Sequence, residues 1–237
     1  MIPLIPAITR FARVPVPHTN EATYALDADG NEWIAKREAD MGCEALLAEA
    51  LSWLLARRLG VRVPDAAFCD DPQERAWLSR RVQDAGHWSA AAAHRVANVA
   101  EAGAIVALDA IVFNEARHGR NLLLTGEGAN SPVIVWAIDA DEARVGHVED
   151  FGKLGGAVPD PRIHAAGFPA ARWRAEALLA AQIAVRLSPR DLGEMVGASC
   201  ALAREPHVEE LVTALADRCA TALSLTNEYV LRLEARL

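Results

Sequence analysis

The chain has 237 residues, 52% of them hydrophobic and 24% charged, which excludes wholesale disorder and fits one large domain or two lobes sharing a core. The formal net charge of −8 argues against a protein that binds nucleic acid directly through general basic charge. The four cysteines form no C-x-x-C pair, no run reaches the roughly 18 uncharged apolar residues of a membrane helix, and prolines interrupt the apolar start. We therefore expect neither a zinc ribbon nor a membrane partner, and a cytoplasmic location.

The first third of the sequence predicts a small β-rich lobe with one helix. The proline-rich start is expected to be an extended segment lying on a sheet or core. Four segments then have the composition and turn signals of strands: residues 23–26, 32–36, 66–69 and 76–79. An Asp-Gly turn joins the first two as a hairpin, and apolar residues at helical spacing predict a helix between Gly42 and Gly60.

The remainder of the sequence predicts a mainly helical lobe. Residues 89–115 are rich in alanine and nearly continuously apolar in their second half, which predicts a buried helix. Two apolar runs, at 122–124 and 133–138, predict a buried hairpin over 122–139, and most of 170–237 is expected to be helical. Two further helices are expected to begin with proline at their first position: Pro189 and Pro206.

Four polar side chains interrupt these apolar elements in an order that suits phosphoryl transfer. Lys36 ends a strand, Glu49 lies in the next helix, Asn121 lies between a buried helix and a buried strand, and Asp139 ends the following strand. A lysine can neutralise ATP phosphates, a helix glutamate can hold that lysine, and asparagine and aspartate oxygens can coordinate Mg²⁺. P-loop, Rossmann, zincin and α/β-hydrolase motifs are absent from the sequence. The order of the four residues matches the protein-kinase-like arrangement.

Three blocks of the sequence resemble the HipA-like kinase family, a bacterial branch of the protein-kinase-like fold. The first block comprises W-I-A-K at 33–36, G-C-E-A-L-L-A-E at 42–49 and L-G-V-R-V-P at 59–64. It looks like the nucleotide lysine, the lysine-holding helix and the Leu-Gly-x-x-x-Pro exit of that family. The second block, L-D-A-I-V-F-N-E-A-R-H-G-R-N at 108–121, is similar to the catalytic loop L-D-x-x-x-x-N-x-D-R-x-x-x-N. The third, V-W-A-I-D at 135–139, resembles the metal-binding strand end.

The resemblance spans roughly residues 20–145 and implies a two-lobed α+β kinase-like fold with a small antiparallel β lobe. A nucleotide-binding lobe at 1–85 and a helical lobe with the catalytic and metal-binding loops at 86–237 would form one kinase-like domain, with ATP between them. The implied reaction is phosphotransfer, dependent on ATP and Mg²⁺, to a serine or threonine hydroxyl of a protein. The expected partners are the nucleotide, a protein or small-molecule acceptor and an antitoxin-like protein. The resemblance assigns two residues to the nucleotide and two to the metal: Lys36 and Glu49, and Asn121 and Asp139.

The sequence departs from the family pattern at the catalytic position. Ala116 stands where the family has the aspartate that accepts the proton of the substrate hydroxyl. Three explanations stay open: the chain is a pseudokinase that binds nucleotide or a protein partner, Glu115 or His118 serves as the base, or Ala116 is an engineered substitution. Because His118 also resembles the lipid-kinase loop, a small-molecule or lipid-headgroup kinase is a weaker alternative. Arg117, in the same catalytic block, is expected to pair with a carboxylate.

A second candidate for the metal aspartate lies further along the chain. Asp150 begins the D-F-G sequence of ordinary protein kinases, but no buried strand is predicted before it. Asp139 follows the apolar run at 133–138, and a rigid strand end holds a ligand better than a loop does. The sequence therefore favours Asp139 as the metal ligand, with Asp141 and Glu142 able to add charge nearby.

Overall fold

The computed structural model describes residues 8–15, 22–71, 75–128, 130–160 and 167–235, the first of these ranges by its backbone. The predicted extended segment at the start of the chain therefore lies partly outside the described residues. Its described part is a strand, β1 (Ile8–Pro15), paired with the next strand of the sheet.

Five strands form an antiparallel sheet in the order β1-β2-β3-β5-β4. The other four are β2 (Ala22–Asp27), β3 (Glu32–Arg37), β4 (Ala66–Cys69) and β5 (Ala76–Arg80). Strand β3 is central, so Lys36 lies opposite Ala22 on one side and Trp77 on the other. The predicted hairpin is confirmed, the four predicted strands are present with β1 as a fifth, and the sheet holds the lysine backbone from two sides.

One long helix packs against this sheet. A single turn, α1 (Glu38–Met41), leads into α2 (Cys43–Leu59), as the apolar spacing predicts. Gly42 and Gly60 flank α2 with φ angles of 85° and 78°, a left-handed region that glycine enters without steric cost. Because α2 also packs against helices of the larger lobe, most of its surface is buried, including Glu49.

The larger lobe is built around a buried helix and a small sheet. The helix is α3 (Val99–Val112), and the sheet contains β6 (Gly86–His87), β7 (Leu122–Thr125) and β8 (Ile134–Ala137). The predicted single helix over 89–115 is wrong, since a 3-10 turn at Ala90–Arg95 precedes α3 and the chain is extended at Val96. The reason is the sheet: Val96 bridges to Val133, and the Asn98 side chain bonds both backbone groups of Val135.

Helices complete the chain after the small sheet. They are α4 (Val148–Phe151), α5 (Arg174–Val185), α6 (Pro189–Ala203), α7 (Val208–Ala220) and α8 (Ala222–Glu234). Pro189 begins α6 as predicted, with Ser188 and Asp191 forming a capping box. The prediction for Pro206 is wrong, since α7 begins two residues later, after a His207 cap.

The small lobe of sheet and α2 and the mainly helical larger lobe form a two-lobed α+β fold, as predicted. The two lobes meet along α2, which packs against α3 and α6, and along the segment that follows β8. Among the described residues, no helix is both long and apolar enough to cross a membrane.

Candidate active site

Three carboxylates meet around the ammonium of Lys36. Nζ donates hydrogen bonds to Glu49 Oε1 at 2.5 Å, to Asp141 Oδ2 at 3.0 Å and to Asp139 Oδ1. The three acids offer oxygen atoms that all lie within 4.8 Å of one another. The lysine comes from the central strand, the glutamate from α2 and the two aspartates from the chain just after β8. The structure thus brings together three of the four residues expected to hold nucleotide and metal.

The backbone at the end of β8 is unusual at the residue that carries a carboxylate. Asp139 has a φ of 63°, in the left-handed region that costs a non-glycine residue energy. The preceding residue is held on both sides, because Ile138 donates its N–H to Asn121 O at 3.1 Å and accepts from Arg117 Nη1 at 2.5 Å. A strained backbone conformation persists when surrounding contacts hold it in place. With this conformation, the Asp139 carboxylate contacts Lys36.

The charges in this cluster shift one another's titration. Burial lowers the pKa of Lys36, but the three carboxylates outweigh burial and hold that pKa well above its usual value. Burial raises the pKa of Asp139, yet contact with Lys36 brings it down to about 2. Burial and the neighbouring Asp139 and Glu49 charges raise the pKa of Asp141 to about 7, although the positive charge of Lys36 lowers it. A single lysine therefore does not neutralise the three acids around it.

A second buried ion pair lies under the loop that follows α3. Asp109 accepts hydrogen bonds from Arg117 Nε at 3.1 Å and Nη2 at 3.0 Å, and from Asn114 Nδ2 at 3.3 Å. Arg117 uses Nη1 for the carbonyls of Asn121 and Ile138. The predicted pairing of Arg117 with a carboxylate is confirmed, and the pair joins the loop to the strand end that carries Asp139.

Asn121 lies in this network and beside the strand end. It is buried and donates Nδ2 to Ala116 O at 3.3 Å, which leaves the side-chain oxygen as an acceptor. Its own carbonyl accepts from Ile138 N–H, so the two residues predicted to bind metal come from adjoining backbone. Their role as metal ligands stays a prediction.

The residues around the catalytic position are engaged elsewhere. Ala116 is 9% exposed and donates its N–H to Asn114 Oδ1 at 3.0 Å. Glu115 forms an ion pair with Arg144 at 3.3 Å, and His118 accepts the N–H of Arg120 on Nδ1 at 3.2 Å. Neither alternative base is bonded to the Lys36 cluster in the described residues.

The alternative metal aspartate lies away from the cluster. Asp150 is on the one-turn helix α4, its side chain is 62% exposed, and its partner is Lys153 at 3.7 Å. The D-F-G sequence therefore does not bring its carboxylate to Lys36, whereas Asp139 contacts that lysine directly.

A small cavity of about 30 Å³ adjoins the cluster, large enough for one or two water molecules. Glu49, Asp139 and Arg117 line its polar side, and Trp53 and Trp77 are among its apolar walls. The hydroxyl of Ser52, one turn along α2 from Glu49, also lines the cavity. Ser52 is 2% exposed and its oxygen has no hydrogen-bond partner.

Sequence reasoning underrated two residues of the site. The sequence predicts Asp141 only as an added charge nearby, yet Asp141 contacts Lys36 directly, and the sequence does not indicate which carboxylate pairs with Arg117, which is Asp109. One unused signal was lysine usage, since the sequence has only two lysines, Lys36 and Lys153, among 24 basic residues. The ammonium of a lysine is a compact point charge, unlike the guanidinium of the other 22 basic residues.

Comparison with known proteins bears on the fold. No protein-family model matches the chain, and no curated protein matches it. Among solved structures, the chain is similar to the Helicobacter pylori proinflammatory kinase CtkA, with a TM-score of 0.63 and 8% sequence identity over 98% of this chain and 99% of that chain. At this identity the likeness shows the fold, and the chain has a kinase-like fold.

Proposed function

We propose that this protein is a HipA-like phosphotransferase that uses ATP and Mg²⁺ to phosphorylate a hydroxyl, with serine or threonine of a protein as the acceptor. The observation that carries the proposal is the cluster of Lys36, Glu49 and Asp139 within a kinase-like fold. A protein catalyses phosphoryl transfer mainly by positioning the reactants and stabilising charge. This cluster supplies a lysine that Glu49 holds in place, beside two further carboxylates.

The donor set at the cluster fits Mg²⁺. Carboxylate and amide oxygens are hard ligands of the kind that Mg²⁺ takes; Asp139 supplies a carboxylate at the cluster. Asn121 would add an amide oxygen from the backbone that bonds to Ile138. Bound Mg²⁺ would neutralise phosphate charge. Lys36 would bind the phosphates as a point charge, and Glu49 would hold Lys36 in place. The Asp109–Arg117 pair would keep the asparagine loop and the aspartate strand end in register.

A second candidate function is a pseudokinase that binds nucleotide without transferring phosphate. The observation in its favour is the catalytic position, where Ala116 has no carboxylate and both Glu115 and His118 are bonded to other groups. A positioned general base contributes about 10²–10⁴-fold to a rate, so its loss leaves room for either residual activity or none.

The test is phosphate transfer by the full chain and by two matched variants. Ala116→Asp restores a proton acceptor, and Ala116→Asn has nearly the same size without a basic carboxylate. Incubated with Mg²⁺ and ATP, Ala116→Asp should form phosphoprotein and ADP about 10²–10⁴-fold faster than Ala116→Asn, measured by intact mass and ADP release. Because Ala116 is largely buried, denaturant unfolding of both variants accompanies the assay.

Three outcomes separate the candidates. Faster phosphate transfer by Ala116→Asp alone supports the kinase function. ATP binding to all forms without any transfer supports the pseudokinase. Residual transfer by the natural chain that disappears in Glu115→Gln or His118→Ala identifies a relocated base. Absence of ATP binding in the presence of Mg²⁺ would refute both functions.

A further inference from the structure

Lys36 occupies the position that a metal ion would need. Its ammonium contacts Glu49, Asp139 and Asp141 together, and these acids present oxygens within 4.8 Å of one another. Divalent cations bind such oxygens at roughly 2.0–2.6 Å, so a metal ion on Asp139 and Asp141 would lie close to the positive charge of Lys36 and be repelled by it.

The cluster carries more negative charge than one lysine can balance. Arg117 lines the adjoining cavity, but its guanidinium is bonded to Asp109. Among the described residues, no second cation is hydrogen-bonded to Glu49, Asp139 or Asp141. Ser52, a buried residue whose hydroxyl has no hydrogen-bond partner, also lines that cavity.

We propose that Lys36 is the internal counter-ion of the metal site, that Asp141 is a metal ligand alongside Asp139, and that nucleotide phosphates release both acids by drawing the ammonium away. The inference rests on the proposed function and adds the order in which nucleotide and metal bind. A metal ion alone competes with Lys36 and binds weakly. A nucleotide engages Lys36 and frees the carboxylates, so nucleotide and metal each raise the affinity for the other by the same factor.

The test uses Mn²⁺ alone as the probe, with free Mn²⁺ followed by its paramagnetic resonance signal. Lys36→Met keeps the side-chain stem and removes the charge, while Lys153→Met is the matched control at an exposed lysine paired with Asp150. Lys36→Met should bind Mn²⁺ at least about tenfold more tightly than the natural chain, and Lys153→Met should bind it as the natural chain does. Adding Asp141→Asn to Lys36→Met should remove most of the gain.

A measurement on the natural chain keeps the inference testable if Lys36→Met fails to fold. Because the chain has two lysines, an amine-reactive reagent followed by peptide mapping reports on Lys36 against Lys153 as an internal control. Lys153 should be labelled throughout. Lys36 should be protected in metal-free buffer and become reactive as Mn²⁺ saturates the site. Saturation by Mn²⁺ with Lys36 still protected would show that the two cations do not compete.

The outcomes distinguish this inference from the proposed function. Equal Mn²⁺ affinity in Lys36→Met and the natural chain, or no Mn²⁺ binding to either, overturns the counter-ion role. If the natural chain still binds ATP with Mg²⁺ in that case, the proposed function stands. A natural chain that binds no nucleotide with Mg²⁺ refutes the proposed function, whatever Lys36→Met does with Mn²⁺ alone.

Discussion

Two ionic clusters contact the chain just after β8, and they are built in opposite ways. Under the loop after α3, one carboxylate meets one guanidinium, both sides are at most 3% exposed, and each arginine donor group has an acceptor. Around Lys36, one ammonium meets three carboxylates, of which Glu49 is buried and the two aspartates are partly open to solvent. The first cluster is balanced and the second has an excess of negative charge.

The difference separates structural from ligand-binding charge. A buried charge is tolerated when a partner and hydrogen bonds compensate for its lost hydration, as they do for Asp109 and Arg117. An excess of like charge at a partly open position destabilises the fold unless a ligand compensates for it. The Lys36 cluster therefore has the features of a site, whereas the Asp109–Arg117 pair has those of a scaffold.

The largest expected effect comes from breaking the balanced pair. Asp109→Asn leaves the Arg117 charge buried without a counter-ion, and the free energy of unfolding should fall by about 3–5 kcal/mol. Urea denaturation measures it, with Asp150→Ala as an exposed control expected to change by less than about 0.5 kcal/mol. A loss in Asp109→Asn no larger than in the control would show that the pair does not stabilise the loop.

The next largest effect should come from a close backbone contact between α2 and Gly146, which follows the two aspartates along the chain. A Cβ on Gly146 would lie 2.2 Å from Glu44 O, at the first turn of α2. Gly146→Ala should therefore destabilise the protein by about 1–3 kcal/mol and weaken binding of ATP with Mg²⁺, since the segment carrying Asp139 and Asp141 must move. Gly193→Ala, in α6 with open space around it, is the matched control and should stabilise by about 0.5–1 kcal/mol. Equal thermal stability of the two variants would contradict the contact.

Removing one carboxylate from the Lys36 cluster should have a small effect of the opposite sign on the free energy of unfolding. Asp141→Asn, measured in metal-free buffer, should leave the free energy of unfolding unchanged or raise it by up to about 1 kcal/mol, because like-charge repulsion around Lys36 is relieved. The same substitution should weaken Mn²⁺ binding. A destabilisation comparable to that of Asp109→Asn would mean that the two clusters do not differ as described.

The smallest expected effect concerns a carboxylate that accepts several hydrogen bonds, Asp27. Burial raises the pKa of Asp27, but hydrogen bonds from Trp33, Asn31 and the backbone lower it overall from 3.8 to about 2. Since the folded pKa is the lower one, Asp27 stabilises the fold fully above about pH 4 and loses that effect as the pH falls through about 2. The difference in stability between the natural chain and Asp27→Asn should shrink across this window in acid denaturation. A constant difference would exclude titration of Asp27 as its cause.

Elements with strong local signals were predictable from the sequence. The Asp-Gly turn between β2 and β3, the glycines that flank α2 and the Ser-Pro start of α6 each act within a few residues, and the structure has each where predicted. Local signals failed where distant backbone competes for the same groups. Residues near Val96 bond to the strand at Val133 instead of continuing a helix, and no nearby residue could indicate this.

The sequence by itself determined the order of the site: a lysine on a strand, a glutamate on a helix and an aspartate at a strand end. Only the tertiary structure decided that Lys36 meets both Asp139 and Asp141, more than 100 residues away, while Arg117 is taken by Asp109. Residue type decides which side chains can carry a charge, and spacing decides on which element each one lies. Which cation each carboxylate meets depends on how the lobes pack, because Coulomb attraction and burial act through space rather than along the chain.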